Sequence, residues 1–391
     1  MDAVRSPYSP GAGCPPAALV GRDTQLSHWD VALQRIEQGR TAQPPVLYGL
    51  RGVGKTVLLT EFSRRALNRS WIVARLEAGV GKPLREALGE ALHGPLADLA
   101  RPSAGRRLLR ALKTAVSFKA SYDMSGTWSF GLDLSDIGGG GADTGVLETD
   151  LLKLLHDIAA AATEERRGLA ILIDEAQDLD EDELAALCSI AHTAGRDGWA
   201  LLIGLAGLPS IPRILAEAKS YSERLFAFYP IEHLDNPLAA RVLIEPAALE
   251  GVSWSDDAIS LVVREAGGYP YFLQQFGQDT WNEASGPTTI TLTDARIGVA
   301  HGWATLDAGF FRSRWDRATR SEQRYLRAMA IDGDPGSGSG DVATRLGRRV
   351  TSLGPARAHL IAKGLVYAPE HGVVAFTVPG MADFITRQPE L

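Results

Sequence analysis

Apolar positions along the chain follow two rhythms. Leu26, Trp29, Leu33 and Ile36 recur at spacings of three and four, which turns one face of a helix toward a core. Short, densely apolar runs at 45–49, 71–76, 169–173, 200–205 and 226–231 predict strands, separated by stretches of helical periodicity. Strands and helices that alternate in this way predict an α/β fold with a mostly parallel sheet.

The connection between the second and third strands breaks the rhythm. A βαβ unit needs only about 30 residues, and this one is far longer. After a helical part ending near Leu112, Val116, Phe118, Ala120, Tyr122 and Met124 alternate with mostly polar residues. Trp128, Phe130, Leu132 and Leu134 do so again beyond Ser125-Gly126. Two period-two runs about a short turn predict a β-hairpin inserted at about 114–136. Its aromatic residues suit a local core or a contact surface. The glycines at 138–141 read as a linker before a helix at 146–162.

From 237 to 317 the pattern is helical, with no strand predicted. A loop at 334–340 follows, then helices at 341–348 and 352–363, then β runs at 365–368 and 373–378. With the helical stretch from Arg320, this order describes a winged helix. The domain reading is a flexible tail at 1–18, an α/β core at 19–235, a helical region at 236–318 and a winged helix at 319–391.

Gly49-Leu50-Arg51-Gly52-Val53-Gly54-Lys55-Thr56 lies between the first predicted strand and a helix that starts at Val57. G-x-x-x-x-G-K-[ST] in that setting is a phosphate-binding loop. Its backbone N–H groups curl round phosphate oxygens at a helix N-terminus, Lys55 reaches the β- and γ-phosphates, and the Thr56 hydroxyl faces Mg²⁺. The third predicted strand ends in Asp174-Glu175. Acids at that edge of a parallel sheet face its ligand crevice, so Asp174 is expected in the Mg²⁺ shell and Glu175 beside the attacking water. No competing chemistry is legible. The eight His residues show no metal-ligand spacing, and neither H-E-x-x-H nor G-x-S-x-G occurs.

Composition adds bounds. The chain has 391 residues, 45% hydrophobic and 22% charged, enough to bury real cores. Net charge −7 argues against contact with nucleic acid along the whole surface but leaves room for a local basic face. Cys14 and Cys188 form no C-x-x-C pair, the first 16 residues lack the apolar core of a signal peptide, and the apolar stretch at 199–211 is too short to cross a bilayer. The expectation is a cytoplasmic protein that makes no membrane contact.

With these motifs in place, the chain resembles the AAA+ ATPases, in particular the group related to origin-recognition initiators and STAND-type nucleotide switches, from about residue 20 to 387. The glycine loop resembles Walker A and 169–175 resembles Walker B. The resemblance implies ATP and Mg²⁺ held by Gly49, Arg51, Gly52, Val53, Gly54, Lys55, Thr56 and Val57 with Asp174. Gly21 and Arg22 look like the motif that contacts adenine. Pro270, in Gly268-Tyr269-Pro270, looks like the G-x-P of a lid closing over nucleotide. Arg224 resembles an arginine finger reaching a neighbouring subunit, which implies a homo-oligomer. The sequence departs from the family twice. No Asn or Thr ends the fourth strand, where a first sensor usually lies, and Tyr271 stands where many relatives carry a second-sensor arginine. Slow turnover is therefore expected.

The last domain is locally basic. Arg345, Arg348, Arg349, Arg357 and Lys363 fall in a stretch with one acid, as a face that contacts the phosphates of double-stranded DNA would. Arg357 is placed on a recognition helix starting near Pro355, with Ala356, Leu360 and Ile361 inward. The alternative is a STAND-like switch that acts through a protein partner with little hydrolysis.

Overall fold

In the computed structural model, residues 1–79, 81–100, 105–121, 137–138 and 140–389 are described. Five parallel strands form the central sheet: β1 (Pro45–Tyr48), β2 (Ile72–Glu77), β3 (Leu169–Asp174), β4 (Leu201–Gly207) and β5 (Ala227–Pro230), in the order β2-β3-β4-β1-β5. β3 and β4 are buried on both faces, hence their unbroken apolar sequences. Because the strands are parallel, β1 and β3 deliver the glycine loop and Asp174-Glu175 to the same edge of the sheet.

The two sheet faces feed separate cores. On one, Val46, Ile72, Ala74, Ile171 and Ile203 pack under the helices Leu84–Leu99, Arg106–Ser121, Leu147–Glu164 and Glu181–Asp197. On the other, Leu47, Val73, Leu172 and Leu202 join the helices Asp23–Glu37 and Lys55–Asn68. That second core runs on without interruption through Phe272, Phe276 and Phe311 to Tyr325, Leu360 and Phe384. The α/β part and everything after it therefore share one apolar interior.

The structure corrects the predicted insertion. The helix expected to end near Leu112 instead runs over 106–121, through the start of the predicted hairpin, and packs on the helix Leu147–Glu164. Leu108, Ala111, Leu112, Ala115 and Phe118 are buried at spacings of three and four. The period-two run starts only at Val116 and covers the end of this helical stripe. The end of the first arm, with Tyr122, and the second arm, with Trp128 and Phe130, lie outside the described residues.

The region after β5 contains helices Asn236–Leu249, Asp256–Ala266, Pro270–Glu283 and Leu292–Thr305, then a π-helical turn, Leu306–Phe311. It also holds two short parallel strands that the sequence does not suggest, β6 (Ser253–Trp254) and β7 (Thr289–Ile290). A helix at Arg320–Ala330, closed at its start by a reciprocal Thr319–Glu322 capping box, opens the last unit. β8 (Ser337–Gly338), β9 (Val366–Tyr367) and β10 (Val373–Phe376) form an antiparallel sheet in the order β8-β10-β9, with helices Ser339–Arg345 and Val350–Ala362 between β8 and β9. This is the winged-helix arrangement, with two corrections. The expected 334–340 loop contains strand β8 and gives way to a helix at Ser339, and the second helix begins at Val350, so Pro355 lies inside it. Leu360 is buried as expected, but Ile361 is exposed. A further helix, Met381–Thr386, closes the unit.

The N-terminal segment is packed, contrary to the flexible tail that its composition predicts. Tyr8 is 2% exposed, and its hydroxyl donates to the Leu243 carbonyl at 2.6 Å. Among the described residues no helix is long and apolar enough to cross a membrane.

Candidate nucleotide site

Gly52 and Gly54, at φ +90° and +97°, fold the loop after β1 back on itself, and Gly54 caps the helix that starts at Lys55. Gly49 is fixed by packing: a Cβ there would lie 2.1 Å from the Ile231 carbonyl oxygen. Lys55 is 6% exposed, and its ammonium donates to the carbonyls of Gly49 and Leu50 at 2.9 and 2.8 Å. Burial pushes its pKa down to about 8, against the opposing pull of Glu175 and Asp174.

Thr56 Oγ1 donates to Asp174 Oδ2 at 2.5 Å, joining the helix start to the end of β3. Glu77, in register beside Asp174 on β2, has its carboxyl pKa raised, first by burial and then by the charges of Asp174 and Glu175. Crowded oxygens of this kind form a hard-donor set that suits Mg²⁺, which takes few protein ligands and completes its shell with phosphate and water. The donors present therefore fit the ion.

Glu175 occupies the left-handed region at φ +50°, a conformation worth about 1–3 kcal/mol of strain in a residue with a Cβ. Both of its carboxylate oxygens are engaged. Oε1 accepts from Arg51 Nη1 and Oε2 from Gln177 Nε2, each at 2.8 Å. Gln177 Oε1 in turn accepts from the Leu208 backbone N–H at 2.9 Å. A side chain from beyond β3 thus occupies the end of β4, where the sequence offers no sensor Asn or Thr.

Arg51, Lys55, Thr56, Asp174 and Glu175 border a cavity of about 340 Å³. Of the predicted residues it brings together Arg22, Arg51, Gly52, Val53, Gly54, Lys55, Thr56, Val57, Asp174, Glu175 and Pro270. Gly21 and Gly49 are not on its wall. Gly21 packs against Leu234 and Leu238, just before Arg22. The Arg22 guanidinium, 9% exposed, donates to the carbonyls of Val53 and Glu232, and burial lowers its pKa. Arg224 lies elsewhere, exposed on the short helix Ser222–Leu225 before β5, so the chain's own cavity does not include it.

Sequence reading misses three contributors. Arg314 lines the cavity, stacked over the Phe310 ring at 3.9 Å and donating to its carbonyl. Burial, followed by the Arg51 charge, lowers its pKa. The π-helical turn before it breaks the periodicity that would have given its face away. Gln177 carries one faint signal, a polar residue two places past the paired acids. The third contributor is the N-terminal segment, where Ser9, Gly11 and Cys14 face the same cavity.

The winged helix touches the loop directly. The Arg51 backbone N–H donates to the Thr377 carbonyl, just past β10, at 3.0 Å. The expected basic face is smaller than its composition suggests. Arg345 pairs with Asp332 and Lys363 with Glu322, while Arg357 donates to the Val373 carbonyl. Arg348 and Arg349 are exposed.

Residues 18–203 match the AAA ATPase domain family, and residues 308–385 match a family described as a domain of unknown function (DUF8462). No curated protein matches the chain. Among solved structures, the Walker-type ATPase PABY2304 of Pyrococcus abyssi is similar over 94% of this chain and 96% of its own, at 16% identity and TM-score 0.57. The Orc1 protein of Aeropyrum pernix, solved in complex with DNA, matches at 16% identity over 96% and 94% of the two chains, with TM-score 0.46. Cdc6p of Pyrobaculum aerophilum matches at 14% identity over 99% and 97%, with TM-score 0.47. The glycine loop and the acids ending β3 both lie within the span, residues 18–203, that matches the AAA ATPase domain family.

Proposed function

We propose that the chain binds ATP with Mg²⁺ in this cavity, hydrolyses it slowly, and uses the nucleotide state to govern how its winged helix is held. The observation that carries the reading is the Thr56–Asp174 contact at the mouth of a glycine loop enclosing Lys55. Thr56 and Asp174 would hold the metal, which neutralises phosphate charge when bound. Lys55 would exchange the loop carbonyls for phosphate oxygens. Glu175 would orient the attacking water once Arg51 turns from its carboxylate toward the phosphates. Gln177 would keep the carboxylate aimed. Arg314 would meet the phosphates from the helical lid (236–318), whose Pro270 and Tyr271 also border the cavity. Arg224 would act only across a homo-oligomer interface. Two free cysteines, Cys14 and Cys188, suit a cytoplasmic setting. Titration calorimetry with ATP·Mg²⁺ tests the reading: heat from the full chain and none from Lys55→Ala supports it, and no heat from the full chain ends it.

The Arg51–Thr377 bond favours a switch over a motor, because reshaping the loop around phosphates must disturb the winged helix. DNA contact is the second reading, supported by the exposed pair Arg348 and Arg349 beside the helix Val350–Ala362. Band-shift titration across a salt series decides it, since phosphate contacts impose a negative salt slope.

A further inference from the structure

We propose that the residues ahead of the ATPase domain form a strap that closes the nucleotide cavity and is fastened to the lid through Tyr8. The inference rests on the ATP reading above. The family match begins at residue 18, so the strap lies ahead of the matched span.

The segment is held firmly at its start. Tyr8 is buried between Trp254 and Trp281, with edge-on ring contacts at 6.3 Å to each. Its hydroxyl donates to the Leu243 carbonyl and accepts from Trp254 Nε1 at 2.9 Å. The ring lies so close to Gly277 that a Cβ there would sit 2.8 Å from it. Trp281 Nε1 donates to the Asp2 carbonyl at 2.9 Å, and the N-terminal ammonium donates to the Ala284 carbonyl at 2.6 Å. All of these partners belong to the lid helices or their connections. At the far end, Val20 is buried in the shared core.

Between the two anchors the chain crosses the cavity. The Ser9 N–H donates to Gln274 Oε1 at 2.9 Å, and Gln274 itself lines the cavity. Gly11 to Cys14 then make a turn closed by one long bond, Cys14 N–H to the Gly11 carbonyl at 3.3 Å. Gly13 passes the metal end of the site, where a Cβ on it would lie 3.3 Å from the Thr56 methyl. The crossing is thus lightly bonded, rich in glycine and proline, and partly to fully exposed, while its lid anchor is deeply buried. A nucleoside triphosphate seated on Lys55 and Thr56 would lie beneath it. Release would require the crossing to lift or the lid to swing away with Tyr8.

Cys14 is a built-in reporter. It is exposed on the crossing, whereas Cys188 is buried and its thiol is pushed up to about 11 by burial. A maleimide therefore reads Cys14 alone. ATP·Mg²⁺ is expected to slow Cys14 alkylation in the full chain by about fivefold or more, as the crossing settles on bound nucleotide. A fluorescent ATP analogue is expected to leave Tyr8→Ala about tenfold faster than wild type, since removing the anchor raises the dissociation rate. If Tyr8→Ala fails to fold, Trp281→Phe keeps an aromatic ring, deletes the bond to Asp2 and should speed release about two- to threefold. Equal alkylation with and without ATP, or wild-type release from the folded anchor variant, overturns the strap and leaves ATP binding standing. No ATP binding by the full chain overturns both.

Discussion

The glycine loop and the basic face of the winged helix offer the same kind of clue, charged residues close together in sequence, and the fold treats them differently. In the loop, Lys55 and Thr56 follow a backbone turn that fixes them relative to one another, and β3 brings Asp174 to within 2.5 Å of Thr56. In the winged helix, five basic residues spread over two helices and a turn. Three of them are taken up internally, by Asp332, Glu322 and the Val373 carbonyl. A cluster set by backbone geometry survives folding as a cluster. One set only by composition is thinned by whichever acids and carbonyls fold beside it, here acids more than ten residues earlier in the chain.

The sharpest way to break the comparison is at the loop. Lys55→Ala should weaken ATP binding by about 100-fold or more, the size of a charge-assisted hydrogen bond, as read by calorimetry. Unchanged affinity would put the nucleotide elsewhere. Glu175→Gln should retain ATP and lower steady-state phosphate release by about 100-fold, the usual contribution of a positioned base. Gln177→Leu should lower the same rate by about tenfold with KM little changed, because it loosens the carboxylate without touching nucleotide; an altered KM and an intact rate would remove it from that role.

Acidity gives a gentler test of the loop. Lys55 in the free protein loses its proton near pH 8, whereas phosphate would hold the proton on it. Binding then requires proton uptake above that pH, so ATP affinity should be flat below about pH 7.5 and fall by up to about tenfold per unit above pH 8. A flat profile to pH 9.5 would mean that the ammonium does not meet phosphate. The smallest effect belongs to the basic face. If it binds DNA, Arg348→Ala with Arg349→Ala should reduce the salt slope by about two, one for each phosphate no longer neutralised, while Arg345→Ala changes it little.

Much of the site is legible in the sequence because its parts are consecutive. Gly49 to Thr56 and Asp174-Glu175 each carry their geometry in a strand end and a turn, and the apolar runs locate all five sheet strands to within about two residues. The end of the helix at 106–121, from Val116, reads as strand because a short window of a helical stripe can mimic alternation when its first turns are assigned elsewhere. Arg314, Gln177 and Tyr8 are invisible for another reason. Their positions depend on tertiary contacts, with a π-turn, the end of β4 and two tryptophans of the lid respectively. No local periodicity encodes such contacts. Strands β6, β7 and β8, two residues each, are too short to leave any rhythm at all.

The packing of Gly49 bears on how variants of this chain should be interpreted. Its Cα faces the Ile231 carbonyl with no room for a methyl group, so the first glycine of the loop is demanded by the neighbouring chain segment rather than by phosphate. A Gly49→Ala protein would lose activity because β1 and the end of β5 could no longer close together, and its lesion would show as lowered melting temperature before any nucleotide is added. Inactivity at this position would therefore diagnose a folding defect, whereas inactivity at Lys55 in a protein that melts normally would diagnose a chemical one.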